Sequence, residues 1–92
     1  MLHFITTSDV QKKLADYLKN KRKSLKYSRN KLEERSTVPA ATIKHFETTG
    51  RISLRQFLLI WQTIDDLSKI DALTRQDKEP NYKTIEDVLK DA

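Results

Sequence analysis

The sequence predicts an all-α protein, a compact bundle of four to five short helices followed by a short C-terminal tail. Two observations carry this. Glycine occurs once and proline twice in 92 residues, whereas a β-sandwich or barrel needs many turn residues. The apolar residues also recur at helical spacing. A chain of this length forms one domain and buries roughly 60–65% of its unfolded surface. Its core is therefore thin, and association would help it.

The first helix is expected from about Asp9 to Ser24, opened by a Ser8-x-x-Gln11 capping box. Its apolar stripe is Val10, Leu14, Tyr17, Leu18 and Leu25, and Lys12, Lys13, Lys19 and Lys23 lie on its outer face. A second helix spans about Arg29 to Arg35, with Ser28 as N-cap and Leu32 as its main core residue. A third spans about Pro39 to Thr48, with proline in the first turn and Ile43 and Phe46 pointing inward. The fourth is opened by Ser53 and Gln56. It carries Leu54, Phe57, Leu58, Trp61 and Ile64 on one stripe and ends near Leu67. Leu59 and Ile60 lie off that stripe, so this helix is apolar on more than one face, which suggests a partner. A short fifth helix is expected around Ser68 to Leu73.

The organisation is thus an N-terminal extension over 1–8, a helical domain over 9–74, and a linker and tail over 75–92. "TRQDKEPNYK" is polar and holds Pro80. "TIEDVLKDA" offers Thr84 and Asp87 as a capping pair, with Ile85, Val88 and Leu89 as a small apolar face. Such a segment is too short to fold alone.

Charge narrows the function. The net charge is +5, but residues 1–51 hold 12 basic and 5 acidic side chains, and residues 52–92 hold 6 basic and 8 acidic. A basic half with helical patterning is the electrostatic footprint of a phosphate-binding surface. Cysteine is absent, so there is no disulfide framework or thiolate metal site, which fits a cytoplasmic protein. No apolar run approaches the roughly 18 residues needed to span a bilayer. The start "MLHFITTSD" lacks the features of a signal peptide. His3 and His45 have no second ligand at metal spacing, so no metal or cofactor is expected. No catalytic triad, glycine-rich phosphate loop or paired-carboxylate cleft is visible, so an enzyme is not expected.

Two short helices, joined by the break Ser36-Thr37-Val38-Pro39 and packed on a third, make a helix-turn-helix. Around it stand Arg22, then Ser28-Arg29-Asn30-Lys31-Leu32-Glu33, Thr37-Val38, Ile43-Lys44-His45-Phe46-Glu47 and Gly50. With these residues, positions 9–67 resemble the lambda-repressor-like (Cro, XRE) DNA-binding family. The resemblance implies an ion pair between Arg22 and Glu47. It implies base-edge contacts from Ala40, Ala41, Lys44 and His45, with Thr42 near the backbone. It implies phosphate contacts from Ser28, Arg29 and Asn30, to which Lys26, Arg51 and Arg55 are added. Lys44 can donate to guanine, whereas alanine can touch only a thymine methyl, so direct readout is thin and DNA shape carries more of it.

Three positions depart from the family pattern. Glu33 stands in place of alanine, and Thr37 and Lys26 in place of turn glycines. There is also one extra residue before Gly50. "FETTGRISLRQFLLI" followed by "DD" is similar to a narrower branch, the HipB-like antitoxins encoded beside HipA-like kinases. That likeness covers residues 36–73. The expectation is a homodimeric repressor of a palindromic operator, with Leu59, Ile60, Ile70 and Leu73 at the two-fold interface. The narrower resemblance implies an antitoxin that autoregulates its operon and binds a HipA-like kinase; the alternative is a phage-type or stand-alone regulator without a toxin partner, and a neighbouring kinase gene, whole or split, would discriminate.

Overall fold

The computed structural model describes residues 4–75. The tail with Ile85, Val88 and Leu89 lies outside them. The described residues form five α-helices and a terminal 3-10 turn, without strands. The helices are α1 (Thr7–Ser24), α2 (Arg29–Ser36), α3 (Ala40–Thr49), α4 (Leu54–Ile64) and α5 (Ser68–Asp71), and the 3-10 turn covers Ala72–Thr74. The all-α bundle is as expected.

The first helix begins two residues earlier than its sequence suggests. Its N-cap is Thr6, whose hydroxyl accepts from the Asp9 N–H while the Asp9 carboxylate accepts from the Thr6 N–H. This reciprocal box replaces the expected Ser8–Gln11 pair. An ionised carboxylate at the third helical position accepts the cap N–H and also favours the positive end of the helix dipole. The buried face of α1 is Ala15, Leu18 and Arg22, with Leu14 packed beside it. Val10 and Leu25 are exposed instead. Tyr17 is largely exposed too, but its ring stacks on Trp61 with centroids 5.4 Å apart, and its hydroxyl donates to Asp65.

The core joins Ala15, Leu18, Leu32, Val38, Ile43, Phe46, Ile60, Trp61 and Ile64. Helix α1 packs on α3 and α4, and α2 packs on the same two helices. The stripe of α4 is rotated from the expected one. Phe57, Ile60, Trp61 and Ile64 face the core at i, i+3, i+4 and i+7, whereas Leu54 is 71% exposed. Ile60, placed by its sequence at a dimer interface, is 1% exposed and belongs to the protein's own core. Ile70 also packs against that core. Leu73 is exposed, and Leu59 is half-buried on the flank of α4.

Gly50 ends α3 in the left-handed region, at φ 83°. A Cβ there would meet the backbone carbon and Cβ of Gln11 at 3.2 Å. Glycine is therefore required twice, by conformation and by the close passage of α1. Thr48 and Thr49 turn their hydroxyls back to the Lys44 and His45 carbonyls, each at 2.8 Å.

Candidate nucleic-acid interface

The N-termini of α2 and α3 open onto one groove of about 480 Å³, lined by Arg22, Ser28, Arg29, Asn30, Ala40, Ala41 and Lys44. Six of these are among the DNA-contact residues expected from the sequence. Ala41, Lys44, Ser28 and Asn30 are exposed, and Ala40 and Arg29 are half-exposed. Thr42, His45, Lys26, Arg51 and Arg55 do not line the groove. Thr42 is half-buried on α3, His45 is exposed beside Lys44, and Lys26 and Arg51 are exposed in the turns that follow α1 and α3. Arg55 lines a different hollow, on α4.

Two turns aim this groove. Ser28 Oγ accepts from the Lys31 N–H at 3.0 Å and starts α2. Lys26 and Thr37 both adopt left-handed backbone, at φ 60° and φ 69°. The turns thus keep the geometry that glycine would give, at a cost on the order of 1 kcal/mol each. Pro39, the N-cap of α3, has no side-chain cap to offer. Glu33 supplies it from α2: its Oε1 accepts the Ala40 N–H at 2.8 Å. Glu33 thereby ties the two helices together at the turn.

Beneath the groove lies the ion pair. Arg22 Nε donates to Glu47 Oε2 at 2.7 Å, and its terminal nitrogen donates to Oε1 at 3.0 Å. A second terminal nitrogen of Arg22 donates to the Tyr27 carbonyl at 2.8 Å, fixing the turn between α1 and α2. Both side chains are buried. The structure adds a partner that the sequence reading missed: Arg29 Nε donates to Glu47 Oε1 at 2.9 Å. Burial alone would raise the Glu47 carboxyl, but the hydrogen bonds and charges of Arg22 and Arg29 outweigh it and hold the group below its ordinary value. No sequence spacing signals the Arg29 contact. The available hint was a single glutamate closing a helix in the basic half of the chain.

A second polar cluster closes the far side of the bundle. Asp65 accepts from the Tyr17 hydroxyl and pairs with Lys69 at 2.9 Å. The tyrosine hydrogen bond, chiefly, holds the Asp65 carboxyl well below the usual carboxylate range. This cluster staples the end of α4 to α1. No group of three or more potential metal ligands occurs among the described residues. No described helix is long and apolar enough to cross a membrane.

No protein-family model, curated protein or solved structure matches this chain.

Proposed function

We propose that this protein is a sequence-specific DNA-binding transcriptional repressor that works as a homodimer. The observation that carries the reading is the convergence of Ser28, Arg29, Asn30, Ala40, Ala41 and Lys44 on one groove at the N-termini of two successive short helices. In a helix-turn-helix, the second helix enters the major groove while the first crosses the phosphate backbone. Here α3 is the reading helix. Lys44 supplies the base-edge donor, Ala40 and Ala41 let the helix approach closely, and the start of α2 grips phosphate. A gel shift and footprint on the protein's own promoter should show a two-fold footprint, with half-sites about one helical turn apart. Equal affinity for random DNA would reject sequence-specific repression.

Within this reading we favour a HipB-like antitoxin over a phage-type regulator without a protein partner. Its support is the resemblance over residues 36–73. A neighbouring gene for a HipA-like kinase, and retention of that kinase in a pull-down, would support it. Its absence from the locus would leave the phage-type alternative.

A further inference from the structure

We propose that Glu47 aims Arg29 at the DNA backbone, so that the pair locking the fold also presets a phosphate fork. The inference rests on the DNA-binding reading above. Glu47 receives three hydrogen bonds from two guanidinium groups: two from Arg22 and one from Arg29. Two positive groups share one carboxylate, so the cluster keeps one net positive charge.

The geometry decides where that charge goes. The Arg22 side chain is 7% exposed and bound on three sides, including the Tyr27 carbonyl. The Arg29 side chain is 35% exposed and lies in the groove wall beside Ser28, Asn30 and Lys44. Only its Nε is engaged among the described residues. Its two terminal nitrogens carry the rest of the donor fork, and such a fork matches a phosphate in two parallel hydrogen bonds. Holding Nε against Glu47 fixes the guanidinium plane before DNA arrives, so little side-chain freedom is lost on binding. A DNA phosphate then neutralises the remaining charge.

Lysine cannot copy this arrangement. Its ammonium is a single point of charge and has no separate edge to hold while the other binds. The test uses the full chain with two duplexes of equal length, its own promoter and a random sequence, titrated over a range of salt. Arg29→Lys should weaken binding to both duplexes roughly tenfold, the scale of one lost charge-assisted hydrogen bond. Its salt slope should stay unchanged, because the charge remains. Arg29→Ala should weaken both and lower the slope by about one. Glu47→Gln, measured at a temperature where circular dichroism shows a native-like fold, should weaken both duplexes as Arg29→Lys does. If Glu47→Gln does not fold, Arg29→Lys decides alone.

Unchanged affinity in Arg29→Lys would overturn the proposal, since any positive charge would then serve. Tighter binding by Glu47→Gln would also overturn it, because Glu47 would then compete with phosphate for Arg29. Both results leave the DNA reading standing. Failure of the wild-type chain to bind either duplex overturns that reading and this inference together.

Discussion

Glu47 ties three helices together through one carboxylate. It is buried, ionised and satisfied by two arginines from different elements, and it joins α3 to α1 and to the start of α2. Removing one partner of a buried pair leaves the other charge uncompensated, at a cost of about 3–5 kcal/mol. Arg22→Ala and Glu47→Ala should therefore each lower the thermal midpoint strongly. Arg29→Ala should lower it less, because Glu47 keeps both bonds from Arg22. Native-like melting of the first two variants would show that the pair does not hold the fold. The sign of the pH dependence follows. The folded Glu47 carboxyl lies below its ordinary value, so the unfolded chain binds more protons in acid. The stability from this group is complete above about pH 4.3, the ordinary glutamate value, and is lost as pH falls further. Asp65 acts in the same direction, being held low by Tyr17 and Lys69. Denaturant titrations at neutral pH and at about pH 3 should show a large drop between them, and Glu47→Gln should show a smaller one.

At the scale of elements, the two turns bracketing α2 are the strained parts. Lys26 and Thr37 sit in left-handed backbone, and a β-branched residue such as Thr37 is a marked outlier there. Lys26→Gly and Thr37→Gly should each stabilise the protein by up to about 1 kcal/mol, with the larger gain at Thr37. Denaturant midpoints would measure it, and destabilisation by Thr37→Gly would mean that the threonine side chain repays its strain elsewhere. Glu33→Ala should cost about 0.5–2 kcal/mol, the usual loss of an N-cap acceptor, because Pro39 offers no substitute. These features also mark where the sequence was legible. The order and type of the helices followed from apolar spacing, and the Arg22–Glu47 pair from a resemblance at matching positions. Helix faces were less legible, since Ile60 and Leu54 exchange the places expected of them. In so short a helix, a rotation of one residue still fits an apolar pattern when leucines occupy both flanks. The cap from Glu33 and the Arg29 contact were invisible, because each depends on how two helices meet and not on spacing within one.

At the scale of the whole molecule, the described residues leave an apolar flank on α4 uncovered, and the proposed dimer would meet there. With Ile60 inside the core and Leu59 and Ile70 packed against it, Leu73 is the one fully exposed residue left of the interface expected from the sequence. The structure supplies replacements: Leu54 is 71% exposed, and with Leu58 and Leu59 it lines the hollow on α4. One helix flank packed against its symmetry mate buries the same residues twice, so these leucines would lie at the centre of a two-fold contact. Leu54→Asp combined with Leu58→Asp should therefore give a monomer by light scattering with the helical signal unchanged, since neither residue belongs to the buried core. DNA affinity should fall steeply in the same variant. Linking two reading helices raises the local concentration of the second half-site contact, and a monomer loses that gain, typically 10²–10⁴-fold. Binding to a single half-site should change little, because the groove between α2 and α3 is lined by other residues. A double variant that remains dimeric would move the two-fold axis off α4, and one that binds the full operator as tightly as the wild type would show that the two reading helices are not coupled through this flank.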